Sequence, residues 1–253
     1  MLAGLRVLLR APLSLLWTVS LVAVMTLVRC VPGQSDAARW ARLQRLFSSW
    51  AQGLLRILNV TLVTEGDLPD QPGLLICNHL GYLDIVVLAA TLRATFVSKS
   101  EVASWPFLGF VVTLLGTIYI DRSRRHDVAR VNELIAEALA RGRTVIVFAE
   151  GTSSDGTDVL PLRPSLLDSG QHGRHPVYYA RLDYQTPLGA APASDAVCWW
   201  GDAPFLPHLG KFLKVPSVRA LVHFGNETIT PADRKSLAVE LREKLRALPA
   251  LRT

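Results

Sequence analysis

The sequence predicts an α/β fold: a mixed sheet flanked by helices, preceded by a membrane-associated helical hairpin. Three observations carry this. From residue 59 onward, short apolar and β-branched runs alternate with helical patterns, the order expected of a sheet covered on both faces. Residues 11–28 carry no charge and are bracketed by Arg10 and Arg29. Between these regions, residues 36–58 place apolar side chains at three- and four-residue steps. The division follows: residues 1–58 form the anchor and an amphipathic interfacial helix, and residues 59–253 form the main domain. A chain of 253 residues suffices for one substantial α/β domain plus such an accessory segment.

Each element has its own justification. Eighteen uncharged residues in a helix span about 27 Å, close to the hydrocarbon thickness of about 30 Å. Arg29-Cys30-Val31-Pro32 is a poor cleavage site, which favours a retained anchor over a removed signal. Arginines on both sides lean towards a cytoplasmic main domain. Pro32-Gly33 breaks the helix, and Trp40, Leu43, Phe47, Trp50, Leu54 and Ile57 then line one face of the next. Arg39, Arg42, Arg45 and Arg56 interleave with them, the pattern of a helix at a headgroup interface or of one packed on a core with solvated arginines. Strands are expected at Val60–Thr64, Leu74–Ile76, Thr95–Val97, Thr117–Ile120, Thr144–Phe148, Val177–Leu182 and Ser217–Phe224. Helices are expected at Asp84–Leu92, Pro106–Leu115, His126–Ala140 and Pro231–Leu248. Residues 160–176 and 185–195, rich in Pro and Gly, read as loops.

The net charge of +6, mostly arginine, points to an anionic membrane surface or anionic substrates, because no nucleic-acid fingerprint accompanies it. Cys30, Cys77 and Cys198 are odd in number and far apart, with neither CxxC nor Cys/His ligand spacing. This indicates neither a disulfide framework nor a zinc site and favours buried or membrane-proximal thiols of a reducing compartment.

The chemistry concentrates at residues 74–84, Leu-Leu-Ile-Cys-Asn-His-Leu-Gly-Tyr-Leu-Asp. On one continuous helix His79 and Asp84 would point about 140° apart. With His79 in a turn after a strand and Asp84 in the first helical turn, they can meet. The carboxylate then fixes the imidazole tautomer and leaves the other nitrogen as a base. Glu150 ends a buried apolar strand, where an unpaired charge is costly and demands a partner. Lys99 and Glu101 read as surface charges. His172 and His175 read as loop residues, and His223 as a hydrogen-bonded strand residue. Trp199, Trp200 and Phe205 pack in the core or line an acyl channel. No Gly-x-Ser-x-Gly elbow is present.

Four stretches carry a family resemblance. Asn78-His79-x4-Asp84, Gly116–Arg122, Phe148–Ser154 and, loosely, His175–Tyr179 resemble, in order and spacing, the signature blocks of the glycerolipid acyltransferases that include 1-acylglycerol-3-phosphate acyltransferase. The resemblance covers roughly residues 55–245. It implies an O-acyltransferase of membrane lipid biosynthesis, at the cell inner membrane and facing the cytoplasm. The acyl group would move from an acyl-carrier-protein or coenzyme A thioester to a lyso-lipid hydroxyl. It implies His79 as base, Asp84 as its orienter, and Arg122 with Glu150, Gly151 and Thr152 as the acceptor site. No metal or organic cofactor is implied. Candidate oxyanion donors are amides near Gly81 or in the Glu150-Gly151-Thr152 turn. Competing readings are a lipid esterase using the same pair with water, and a non-catalytic scaffold.

Two positions depart from the family pattern Phe-Pro-Glu-Gly-Thr-Arg-Ser. Ala149 replaces the proline, and Ser153 replaces the arginine. Serine cannot substitute for a planar, permanently charged phosphate clamp. The form Glu-Gly-Thr-Ser-Ser-Asp-Gly followed by Leu160-Pro161-Leu162-Arg163 is similar to the branch that acylates lyso-ornithine lipid, and Arg163 stands where it could compensate.

Overall fold

The computed structural model describes residues 2–104, 108–121, 125–168, 175–229 and 233–251. Two long helices, α1 (Leu2–Cys30) and α2 (Asp36–Leu58), form the N-terminal hairpin. The main domain follows as β1 (Val60–Glu65), β2 (Leu74–Cys77), α3 (Leu83–Thr91), β3 (Ala94–Lys99), α4 (Leu108–Leu114), β4 (Ile118–Ile120), α5 (Arg125–Ala140) and β5 (Thr144–Phe148). It ends with β6 (Val177–Gln185), the short α6 (Ala193–Ala196), α7 (Phe205–Lys214), β7 (Val218–Phe224) and α8 (Arg234–Ala247). The mixed α/β class holds.

The strands form one seven-stranded sheet in the order β1-β7-β6-β2-β5-β3-β4. Strands β6, β2, β5, β3 and β4 run parallel, and β6 meets β7 antiparallel, so β1 and β7 run the other way. Alternation along each strand divides the core. Leu75, Cys77, Ile146, Phe148, Tyr178 and Ala180 pack towards α2, α3 and α7. Leu74, Ile76, Val145, Val147, Val177 and Tyr179 pack towards α5 and α8. Both faces are buried, which explains the continuous apolar runs of β2 and β5. The parallel strands direct the turns after β2, β5 and β4 to one edge, where open α/β sheets bind ligands.

Strand β6 runs three residues further than its expected end. Tyr184 continues the buried alternation of Tyr178, Ala180 and Leu182, and pairing with β7 extends to Gln185↔Arg219. Helix α7 was not anticipated. Phe205, His208 and Phe212 give it helical spacing, but Pro204 and Pro207 give the segment the look of a loop.

The hairpin is stapled by its tryptophans. Trp17 Nε1 donates to the Trp50 carbonyl at 2.9 Å, and Trp50 Nε1 donates to Thr18 Oγ1 at 3.1 Å. Trp50 is buried and stacks on Phe47, while Trp40 lies beneath the Arg143 guanidinium. These rings therefore face protein, and the exposed side of α2 carries Arg42, Arg45 and Arg56. Helix α1 is different: Leu5, Leu8, Leu9, Leu13, Leu16 and Leu27 remain exposed. By length and composition α1 could cross a membrane.

Candidate active site

Strand β2 delivers Asn78 and His79 to the ligand-binding edge. Asn78 is pinned across the sheet: its Nδ2 donates to the Leu182 carbonyl at 3.0 Å, and the Leu182 amide donates to its Oδ1 at 2.7 Å. The chain then turns through Leu80 and Gly81 into α3, whose first turn holds Asp84. Gly81 has φ of 150°, and a Cβ there would sit 2.9 Å from the Trp199 amide nitrogen. That close approach lets the Trp199 amide donate to the Leu80 carbonyl at 2.7 Å. Only glycine permits both.

Asp84 is fully buried. Its Oδ2 lies 2.7 Å from His79 Nδ1 and accepts from the amides of Leu80 at 2.7 Å and Gly81 at 3.0 Å. Its Oδ1 accepts from the Tyr184 hydroxyl at 2.7 Å. These donors are what make a buried carboxylate tolerable. A carboxylate only accepts, so His79 Nδ1 carries the proton and Nε2 presents its lone pair. The imidazole stacks on Phe148, centroids 4.2 Å apart, and its side chain is 24% exposed. The expected His79–Asp84 contact is therefore present, with the His79 ring partly exposed.

Strand β5 pairs with β2 in register Cys77↔Phe148 and delivers the second turn beside the first. The Ser154 amide donates to the His79 carbonyl at 2.9 Å, joining the two. Gly151 takes φ of 76°, and a Cβ there would collide with Nε and Cδ of Arg163. The Arg163 amide donates to the Ala149 carbonyl at 2.8 Å, so residues 160–163 fold back over this turn. Thr152 is exposed, whereas Glu150 is buried with both carboxyl oxygens lacking a hydrogen-bond partner. Burial pushes the Glu150 carboxyl up to about 8, against the pull of the nearby main chain of His79 and Leu160, while the Asp84 charge adds to the rise.

The oxyanion donors narrow. The Leu80 and Gly81 amides are committed to Asp84, and the Gly151 amide donates to the Phe148 carbonyl at 3.2 Å. Among the described residues, the Thr152 and Ser153 amides make no such bond. Burial, with the Asp84 charge, pushes the Cys77 and Cys198 thiols up, so neither is a thiolate nucleophile at neutral pH.

Arg122 lies outside the described residues, as does His172; β4, which precedes Arg122, ends on the same edge of the sheet. Lys99 and Glu101 are exposed. His223 pairs with Glu65, Nδ1 to Oε2 3.3 Å, across β1 and β7. Sequence reasoning missed His208. This buried ring accepts at Nδ1 from the Tyr82 hydroxyl at 3.0 Å and donates from Nε2 to the Cys198 carbonyl at 3.0 Å, and burial lowers its pKa. With Phe205 and Trp199 packed around Tyr82, it supports the back of the His79 turn. The signal was the spacing of Phe205, His208 and Phe212.

The family model described as Acyltransferase matches residues 59–178. A lyso-ornithine lipid O-acyltransferase of Brucella abortus (strain 2308) is 32% identical over 223 residues, covering 83% of this chain and 82% of that protein. The chain belongs to the acyltransferase family. A 1-acyl-sn-glycerol-3-phosphate acyltransferase of Neisseria meningitidis is 28% identical, covering 79% of this chain and 78% of that protein. The crystal structure of the 1-acyl-sn-glycerophosphate acyltransferase PlsC from Thermotoga maritima superposes with a TM-score of 0.66 at 17% identity, covering 98% of this chain and all of that one, and so shares the fold. The acyltransferase thus has the mixed α/β architecture that its sequence predicts, and the resemblance stated from its motifs is the correct family.

Proposed function

We propose that the acyltransferase moves a fatty acyl group from an acyl-carrier-protein or coenzyme A thioester to the hydroxyl of a lyso-lipid, with His79 as general base. The observation that carries this is the His79–Asp84 pair: Nδ1 held at 2.7 Å by a fully buried carboxylate, with the ring partly exposed. Nε2 takes the proton from the acceptor hydroxyl as its oxygen attacks the thioester carbonyl. The Thr152 and Ser153 amides are the donors free to meet the tetrahedral oxyanion. Collapse breaks the carbon–sulfur bond, and the leaving thiolate takes the proton back from Nε2. Asp84 stabilises the imidazolium between the two transfers. No acyl-enzyme intervenes, consistent with the raised thiols of Cys77 and Cys198.

The acceptor head lies over Gly151 and Thr152, with Arg163 and Arg122 as its cationic partners and Glu150 bracing the turn from beneath. Ser153 in place of a guanidinium favours lyso-ornithine lipid over lysophosphatidate, as do the names of relatives such as that from Brucella abortus. We place the protein on the cell inner membrane with its main domain in the cytoplasm, α1 turning its exposed leucines to lipid while α2 seats it on the domain.

The test offers purified protein radiolabelled acyl thioesters of carrier protein and coenzyme A, with lyso-ornithine lipid and lysophosphatidate in parallel. We expect acylated lyso-ornithine lipid, and a loss on the order of 10²–10⁴-fold for His79→Ala. Free fatty acid without acylated lipid would instead indicate an esterase, and an undiminished His79→Ala variant would end the general-base mechanism.

A further inference from the structure

Arg6 and Arg10 of α1 clamp the C-terminal end of α7. Arg10, buried, donates to the carbonyls of Val215 at 2.5 Å and Pro216 at 2.8 Å, and Arg6 donates to the Lys214 carbonyl at 2.9 Å. Guanidinium groups suit this end of a helix, where carbonyls lack intrahelical partners. A cavity of about 500 Å³ lies between α1, α7 and residues 187–191, and its charged lining is Arg6, Lys211 and Lys214 with one carboxylate, Asp195. Lys211 pairs with Asp195, both ends half exposed, and among the described residues Lys214 has no ion-pair partner.

One wall of this cavity is the apolar 187–191 segment, whose Leu188 is fully exposed. Leu2 and Leu9 lie four residues before and three after Arg6, on the same stripe of α1, and both are exposed. Exposed leucines close in sequence to basic side chains, Leu2 and Leu9 to Arg6 and Leu188 in the cavity wall, combine the two chemistries a membrane surface offers, acyl chains and charged headgroups. An acidic protein would complement the lysines but leave the leucines uncovered.

We propose that this cavity binds the headgroup of an anionic phospholipid of the membrane, with Arg6, Lys211 and Lys214 on its phosphate and Leu2, Leu9 and Leu188 among the acyl chains. It rests on the reading of α1 as lipid-facing, and it is separate from the acceptor site over Gly151. A bound lipid takes Lys211 from Asp195 and locks α1 to α7 with a third component.

The experiment is co-sedimentation of the full chain with vesicles of phosphatidylcholine alone and of phosphatidylcholine containing phosphatidylglycerol. Each basic side chain at such a surface multiplies affinity about fivefold. Wild type should therefore prefer the anionic vesicles by tenfold or more, at low salt most of all. The double variant Lys211→Gln/Lys214→Gln should lose most of that preference yet keep wild-type binding to neutral vesicles and wild-type turnover of detergent-dispersed lyso-lipid. Leu188→Ser should weaken binding to both vesicle types. Equal wild-type binding to both vesicles would overturn the headgroup site while leaving the lipid-facing α1 intact; failure to bind either would remove α1's role as well. A double variant that keeps its anionic preference, but shows a raised KM for acyl carrier protein and not for acyl coenzyme A, would reassign the cavity to the carrier protein.

Discussion

The turns that follow β2 and β5 leave neighbouring strands side by side, yet they are built on opposite principles. In the first, the polar atoms that matter are committed: Asn78 to Leu182, Asp84 to His79, Leu80, Gly81 and Tyr184, and the Leu80 carbonyl to Trp199. In the second, Thr152 is exposed, the Glu150 carboxyl is buried without a hydrogen bond, and Arg163 lies over a glycine. The first turn holds the His79 ring in one orientation, which the proposed general base requires whatever the acceptor. The second is left, among the described residues, with amides making no main-chain bond and an exposed cation, and on the proposed function it is where an acceptor is selected. On the proposed function, chemistry and specificity are divided between adjacent strand ends.

On that division, the largest effect comes from the closed turn. Asp84→Asn replaces an acceptor-only group by one that cannot hold the same imidazole tautomer or balance the imidazolium. Turnover should fall on the order of 10³–10⁴-fold, with the KM for acyl thioester little changed and the circular dichroism spectrum retained. A raised KM at normal turnover would make the first turn part of the binding site and collapse the distinction. The open turn should behave the other way. Arg163→Ala removes a charge-assisted contact of about 1.5–3 kcal/mol, which should raise the KM for the lyso-lipid about tenfold or more and leave turnover and the thioester KM nearly unchanged. An equal fall in turnover would place Arg163 with the reacting groups instead.

The sequence reveals one turn better than the other. The His79–Asp84 contact is local, five residues apart, and follows from a strand end meeting a helix start. Of the groups that make the buried Asp84 tolerable, the Leu80 and Gly81 amides are local, but Tyr184 arrives from β6 through strand pairing, and Trp199, which holds the Leu80 carbonyl, comes from the segment before α7; no short window contains either. Short apolar and β-branched runs identified each strand among the described residues within about three residues, because burial leaves a signal in each strand by itself. Helix α7 was hidden by its prolines. The aromatic stripe of α2 was equally visible on either of its two readings. Periodicity shows that a face is buried, not what buries it, and here α1 covers Trp50.

The smallest effect tests the buried carboxyl between the turns. Glu150 is raised to about 8 by burial, so in the folded protein it holds its proton far above the pH at which the unfolded chain releases it. Between the ordinary carboxylate range and pH 8 the folded state therefore binds more protons than the unfolded one. Stability must then fall as pH rises through that window and level off above it. Glu150→Gln keeps the shape and removes the titration. Its Tm should match wild type near pH 4 and exceed it by several degrees near pH 8, with turnover lowered only a few-fold because the carboxyl oxygens are closed to solvent. Thermal melts of both proteins from pH 4 to 9 decide it. Parallel curves would show that Glu150 is already ionised at neutral pH against a partner, and the second turn would then be as fully committed as the first.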